Sequence, residues 1–521
     1  MRIALPQLNY YNGSISQNYE MMAKAIQDAQ NQKAELIIFP ELALCGPFPG
    51  DLLEKEQFIE ESRIAVDRLA LNCNTIAALV GAPNLDPENG IMYNSVYFLQ
   101  NGEVTDGVHK TVLSDYDIFN ESRYFVGGED NSPIRYKNQQ IRVLFDEYES
   151  DYIDKNDQFV ILLGRTPFTT ESLKYRQSML SNLAARYRKT FIYINQTGGH
   201  TSILFDGNSM VADARGKIIY QLQEFEEDFT IIDTQKLPRQ GQPLQATAPI
   251  ELVHKALVTG IRDYFRKNHF TQAVLGLSGG IDSAVVAALA AEALGPENIH
   301  GLLMPSEFST DHSVKDATDL AQQIGMPFQT VPIKNIYEKY REMLSPVFGD
   351  LPFNVTEENL QARIRGTLVM AMSNKFGYIA LNTSNKSEAA VGYGTLYGDL
   401  CGSLSVIGDV WKTDVYKLAR YINRERTLIP ENTITKAPSA ELRPGQKDQD
   451  SLPEYGLLDA VLKNYIEENR SADAIVKQGY DRETTEKIIQ MVNRNEYKRA
   501  QCPPVLKISK KAFGEGRRMP F

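Results

Sequence analysis

At 521 residues the chain is long enough for two or three domains, and its formal net charge of −11 with 42% apolar residues is that of a globular protein. The acidic balance excludes a nucleic-acid scaffold, and no apolar run reaches the length of a membrane span. Cys45, Cys73, Cys401 and Cys502 fall in neither a metal nor a disulfide spacing, and the six histidines form no ligand cluster, which excludes a zinc enzyme and fits a reducing cytoplasm.

Strands and helices alternate from the start. Apolar periodicity predicts a strand at 3–5, a helix at 18–32 and a buried strand at 36–39 that ends at Pro40-Glu41. A helix (62–71) and a strand (75–80) repeat the unit, and a hairpin follows at 95–99 with Gly102 in its turn. Strands at 141–145 and 159–163, a helix at 171–187 and a strand at 191–195 complete a layered α/β body. The polar, turn-rich stretch 239–249 places a domain boundary near residue 246. Beyond it the pattern gives helix 251–267, strand 273–277, helix 284–294, strand 299–304, helix 312–324, strand 328–331, helix 357–376 and strand 379–382. That order predicts a doubly wound parallel sheet, whose ligands bind at the carboxyl ends of its strands. The basic tail 507–521 carries too little apolar surface to pack alone.

The most informative stretch is Leu275-Gly276-Leu277-Ser278-Gly279-Gly280-Ile281-Asp282-Ser283, between an apolar strand and an alanine-rich helix. Adjacent glycines let successive N–H groups point at one anion, and the helix N-terminus favours a phosphate there. Ser278 and Ser283 add hydroxyl donors. There is no Walker lysine. Asp282 stands in its place, and a carboxylate beside phosphates requires a hard cation between them, so the loop predicts Mg²⁺. Downstream, Asn359 and Arg363 lie four apart on one helical face, and Glu388 is placed to complete a cation site with Asp282.

The turn resembles that of the N-type ATP pyrophosphatases, which activate a carboxylate or carbonyl as an adenylate before a nitrogen nucleophile displaces AMP. The turn alone does not separate GMP, argininosuccinate, asparagine and NAD synthetases. The strings 357–366, 383–395, Leu396-Tyr397-Gly398-Asp399, 438–444, 449–453 and 506–514 do: they are similar to the NAD synthetases. The resemblance implies that Ser278, Gly279, Gly280, Asp282 and Ser283 hold ATP phosphates and that Asp282 and Glu388 ligate Mg²⁺. It implies that Thr383 and Lys412 contact ATP, and that Asn359, Arg363, Glu388 and Lys498 serve the substrate, nicotinic acid adenine dinucleotide. The mononucleotide acid is the alternative substrate. It also implies a homo-oligomer.

Residues 1–245 are similar to the nitrilase superfamily, which in the longer NAD synthetases supplies a glutaminase. The resemblance implies an α-β-β-α sandwich ahead of a synthetase domain (246–521) with the doubly wound, adenine nucleotide alpha-hydrolase-like sheet. A glutaminase of this type needs a glutamate base, an oxyanion-stabilising lysine and a cysteine nucleophile. The segment Phe39-Pro40-Glu41 gives Glu41, and His109-Lys110-Thr111 gives Lys110. The family's Cys-Glu-Asp does not appear: the strand reads Val143-Leu144-Phe145-Asp146-Glu147, which puts Phe145 in the nucleophile's place, or Asp146 in a register one residue later. The family's Asn-Ala-Ser-Pro-Phe is here Gly164-Arg165-Thr166-Pro167-Phe168, and its Gly-Gly-Gln-Asp-Glu is Gly198-Gly199-His200-Thr201-Ser202. Cys45 and Cys73 read as packing residues. The expectation is an ammonia-using NAD synthetase with a degenerate Glu41–Lys110–Phe145 triad. Retained glutamine use is the alternative, and an amidase with a passenger domain or an assembly module are rivals of other classes.

Overall fold

In the N-terminal half of the computed structural model, successive strand residues face two different cores. Ile3, Leu5, Leu36, Ile38, Ala77 and Leu79 share one cluster with Ile161, Leu163, Ile192 and Ile194. Their alternates Ala4, Ile37, Ala78 and Val80 pack with Met22, Ile26 and Leu69 of the helices Ile15–Asn31 and Glu56–Leu71. Val160, Leu162 and Tyr193 pack with Leu180 and Ala184 of helix Ser172–Tyr187. A period of two with both faces covered therefore builds helix, sheet, sheet, helix, as the resemblance implies.

The first sheet has the order Asp228–Asp233, Arg2–Gln7, Leu36–Ile38, Ala77–Leu85, Met92–Gln100, Glu103–His109. The second runs Ile218–Gln221, Met210–Ala212, Thr190–Ile194, Phe159–Leu163, Gln139–Leu144, Ile134–Tyr136. The predicted hairpin is present, with Asn101 and Gly102 both at positive φ in its turn. The predicted strand 141–145 stops at Leu144. The strands between residues 197 and 233 were not predicted, because they are three to six residues long with little alternation.

Residues 1–238 and 247–520 are described, and they fall into two compact units, Met1–Ala246 and Thr247–Phe521. Most of the predicted boundary stretch lies outside the described residues. In the second unit every strand pairing is parallel, in the order Phe328–Thr330, Ile299–Leu303, Ala273–Gly276, Ile379–Asn382, Leu404–Ser405. The chain builds outward on one side of Ala273–Gly276 and then returns to the other. This reversal opens a crevice at the carboxyl ends of Ala273–Gly276 and Ile379–Asn382.

Helix Val355–Phe376 starts before its predicted position because Asn354 caps it: Asn354 Oδ1 accepts the Thr356 N–H at 2.8 Å, and Glu357 returns to the Asn354 N–H at 2.8 Å. Helix Lys334–Phe348 was not predicted. Ile336, Tyr337, Tyr340, Met343, Leu344 and Val347 do recur at helical spacing, but only Tyr337 is buried and Pro346 lies inside the helix. No helix among the described residues is long and apolar enough to cross a membrane.

The tail docks against its own unit through an internal cation. The Lys386 ammonium is fully buried, 2.7 Å from Asp409, 2.6 Å from Glu467 and 2.7 Å from Ser509 Oγ, with the Trp411 ring at 4.6 Å. Asp409 also accepts the Ile508 and Ser509 N–H groups at 2.7 Å. Removing the ammonium leaves Asp409 buried without a counter-charge. Lys386→Met should therefore destabilise the protein by about 3–5 kcal/mol, measured by urea unfolding; a loss below about 1 kcal/mol would show that the cluster does not hold the tail.

Candidate active site

Gly279 sets the shape of the serine–glycine turn. Its φ is +76°, and a Cβ there would meet the Ser313 carbonyl oxygen at 2.2 Å. The turn is stitched internally: Ser278 Oγ lies 3.1 Å from Ser283 Oγ, accepts the Gly280 N–H at 3.1 Å, and Ser283 Oγ donates to the Gly280 carbonyl at 3.1 Å. Gly280 then caps helix Ile281–Leu294, which aims its N-terminus into the crevice.

The carboxyl end of the neighbouring strand supplies the opposite wall. Asn382 fixes the loop that carries Thr383 by donating to the Asp399 and Cys401 carbonyls at 2.8 and 3.0 Å and accepting the Ser384 N–H at 3.0 Å. Asn385 caps the short helix Lys386–Val391 and donates to Asp282 Oδ1 at 2.9 Å. Asp282, Glu388 and Lys412 meet at one point, with Lys412 Nζ 2.5 Å from Asp282 Oδ2 and 3.1 Å from Glu388 Oε1. Burial, reinforced by Asp282 and Asp448, pushes the Glu388 carboxyl up to about 7 despite the lysine. Burial opposes the charge on Lys412, yet Asp282 and Glu388 outweigh it and hold the amine protonated.

The two predicted cation ligands thus do converge on a cation position, taken by the Lys412 ammonium. Among the described residues there is no group of three His, Cys, Asp or Glu side chains able to hold a metal. Two carboxylates plus phosphate oxygens form the hard donor set that Mg²⁺ uses, so the residues fit this ion only alongside a nucleotide.

Asn359, Arg363 and Lys498 come together around one loop. Asn359 Oδ1 accepts from Thr395 Oγ1 at 2.7 Å, Arg363 Nε donates to the Leu396 carbonyl at 3.2 Å, and Lys498 Nζ donates to the Gly392 and Gly394 carbonyls at 2.8 Å. The Gly366 and Gly398 backbones touch, since a Cβ on Gly366 would lie 2.8 Å from the Gly398 carbonyl oxygen. Arg365, missed from sequence, lies on the same helix: its Nε donates to the Met304 carbonyl at 3.1 Å, and burial lowers its guanidinium to about 10.

In the first unit Glu41 and Lys110 pair at 3.1 Å as expected, but inside a four-membered cluster. Lys110 Nζ lies 2.8 Å from Glu121 Oε2, and the Arg165 guanidinium lies 3.5 Å from Glu41 and pairs with Glu121. Asn94 Nδ2 donates to Glu41 at 2.6 Å. Arg165 is buried, sits 4.7 Å over the Phe119 ring and donates to the Pro47 carbonyl at 3.1 Å. Burial works against Glu121, but Arg165 and Lys110 hold its carboxyl down to about 2; burial leaves Glu41 above the ordinary range. Glu121 and Arg165 were not foreseen as partners of the triad, because nothing local in sequence joins residues 41, 110, 121 and 165.

Phe145 follows the strand Gln139–Leu144, and its side chain belongs to the core between the sheets. Its N–H donates to Glu149 Oε2 at 2.8 Å, while Glu149 Oε1 accepts the Thr111 N–H at 2.7 Å. This ties the strand end to the Lys110 segment without presenting a nucleophile. Cys45 is fully buried in the Glu41 loop, and burial raises the Cys45 and Cys73 thiols to about 12. A neutral buried thiol is unreactive. At mildly alkaline pH, Cys45 and Cys73 should therefore resist a chromogenic disulfide reagent in the native protein, and all four cysteines should react after denaturation. A fast-reacting Cys45 would contradict this geometry.

The NAD synthase family profile matches residues 253–502, and the carbon–nitrogen hydrolase profile matches residues 2–239. The chain is 43% identical to a glutamine-dependent NAD(+) synthetase of Synechocystis and 38% identical to one of Thermotoga maritima, each comparison covering 100% of this chain and 98% of the relative. The structure of glutamine-dependent NAD+ synthetase from Acinetobacter baumannii in complex with adenosine diphosphate superposes with a TM-score of 0.81 at 36% identity, over 100% of this chain and 98% of that one. A glutamine-dependent NAD(+) synthetase of Cytophaga hutchinsonii, at 21% identity and a TM-score of 0.86, shares the fold. With both domains matched in order and over their whole length, the chain belongs to the NAD synthetase family, the carbon–nitrogen ligases in which a carbon–nitrogen hydrolase-like domain precedes the synthetase domain.

Proposed function

We propose that the protein makes NAD by ATP-dependent amidation of nicotinic acid adenine dinucleotide, and that it takes ammonia as its nitrogen donor. The observation that carries the first part is the crevice where the serine–glycine turn faces Asp282, Glu388 and Lys412. In this reading the N–H groups and hydroxyls of Ser278, Gly279, Gly280 and Ser283 hold the phosphates of ATP, with Thr383 beside them. Asn359, Arg363 and Lys498 seat the acid dinucleotide, and Glu388 borders both. A carboxylate oxygen of the substrate attacks the α-phosphorus and pyrophosphate leaves. The nitrogen lone pair of ammonia then adds to the activated carbonyl carbon, AMP departs with the bridging oxygen, and the surplus protons pass to solvent. Asp282 and Glu388 would hold Mg²⁺, which supplies charge neutralisation on the phosphates. Lys412 adds a fixed positive charge where pyrophosphate develops its negative charge.

The ammonia part rests on the first unit. The three groups that cleave glutamine are reduced to two, Glu41 and Lys110, and both are saturated by Glu121, Arg165 and Asn94. Phe145 lies in the core, and the alternative nucleophile position, Asp146, is a carboxylate that would gain only an anhydride. The names of the relatives favour a second reading, in which glutamine is still used. The cytoplasm, where both nucleotides are available, is the proposed location. A homo-oligomer is proposed too, supported by the exposed apolar residues Met343, Val347 and Leu351 of the second unit; sedimentation tests it.

NAD formation with ammonium or glutamine as sole nitrogen source separates the two readings. Ammonium should sustain turnover, with an apparent KM for total ammonium that falls as pH rises, because only the unprotonated form carries the attacking lone pair. Glutamine should not sustain it, and equal rates with both donors in protein free of other glutaminases would refute the ammonia reading. Phe145→Cys alone should fail to restore glutamine use, since Arg165 still occupies the space beside Glu41; full recovery from that change would show an intact amide pocket.

A further inference from the structure

The Lys412 ammonium occupies the point where the two acidic side chains of the synthetase crevice converge, and this has a consequence for the order of binding. The backbone of Lys412 is anchored: its N–H donates to Ser387 Oγ at 2.9 Å, the next N–H donates to Asp459 Oδ2 at 2.9 Å, and Ser387 Oγ donates to Asp459 Oδ1 at 2.5 Å. Only the flexible side chain is free to move. Its tip is almost fully buried, bound to Asp282 and Glu388, with the Tyr455 ring 5.3 Å from Nζ.

A divalent ion and an ammonium cannot share that point, because two cations a few ångströms apart in a poorly solvated site repel strongly. A metal ion that enters alone must expel the ammonium from both carboxylates it bonds and leave it buried with only Asp448 as a nearby negative charge. A nucleotide removes that obstacle, since its phosphates accept the displaced ammonium and complete a ligand set that the protein alone does not provide among the described residues.

We infer that Lys412 holds the cation seat until the nucleotide arrives, so that the protein takes up its divalent ion only together with a triphosphate. The inference rests on the proposed phosphate site and adds to it a coupling: each ligand strengthens the other through one side chain that exchanges carboxylates for phosphates. The seat is then filled by one positive group or another throughout the cycle, and Asp282 and Glu388 are never left facing each other unscreened. A carboxylate pair without this lysine would collect divalent ions from solution whether or not nucleotide was present.

The test is equilibrium dialysis of the full chain with Mn²⁺, with and without α,β-methylene-ATP, for the wild type and Lys412→Met. Without nucleotide the wild type should retain little Mn²⁺, whereas Lys412→Met should bind it about 50-fold more tightly, an effect of the size of a typical coupling between sites. Adding Asp282→Asn to Lys412→Met should abolish that gain and so locate the ion. Thermal melting gives an independent readout, since Mn²⁺ alone should raise the Tm of the variant and not of the wild type. Lys412→Gln serves in the same way if the methionine variant folds poorly. The inference is overturned if Lys412→Met retains no more Mn²⁺ than the wild type, or if the wild type binds Mn²⁺ equally well without nucleotide. Failure of the wild type to retain the nucleotide analogue with Mn²⁺ present would instead refute the phosphate site, and the nucleotide-free comparison would still decide the role of Lys412.

Discussion

The synthetase crevice depends on one close approach, the Gly279 backbone against the Ser313 carbonyl, where a Cβ would sit 2.2 Å from oxygen. It fixes the serine–glycine turn against the N-terminus of helix Asp311–Ile324 and so directs the N-terminus of helix Ile281–Leu294 into the space beyond the sheet. From the other side of the switch point, strand Ile379–Asn382 delivers Asn385 and Glu388 to the same place. Parallel strands with a reversal of order put three helix starts, each with one charged side chain, within bonding distance, although residues 282, 388 and 412 are far apart in the chain.

The first unit shows how a buried charge cluster balances itself. Two carboxylates, an ammonium and a guanidinium cancel one another inside an apolar shell, each with several partners. Removal of any one would leave a buried charge uncompensated. Arg165 is central because its flat face also lies on Phe119, filling space beside Glu41 with a side chain of this chain itself.

Much of this was legible in the sequence, for reasons that differ by element. The parallel sheet of the second unit was readable because strands such as Ala273–Gly276 are apolar and alternate with long helices. The turn at Ser278–Ser283 was readable because its requirements are local: glycines for φ, hydroxyls for donors, a helix start for charge. The pairing of Asn359 with Arg363 followed from helical spacing, and in the structure both hydrogen-bond to the loop carrying Thr395 and Leu396. What was hidden is non-local. Glu121, Glu149, Arg165 and Arg365 acquire their settings from residues tens of positions away. The tail was read as unable to pack alone, and its docking depends on Lys386, Asp409 and the Phe513 side chain, which joins a core built by helices more than twenty residues earlier.

The most direct measurement of the central claim is exchange of radiolabelled pyrophosphate into ATP in the absence of any nitrogen donor. If the turn, Asp282 and Lys412 assemble an adenylate on the acid dinucleotide, exchange will occur with nicotinic acid adenine dinucleotide present, cease without it, and be lost in Asp282→Asn. Exchange that needs no acid substrate, or that continues undiminished in Asp282→Asn, would contradict the assignment of the crevice.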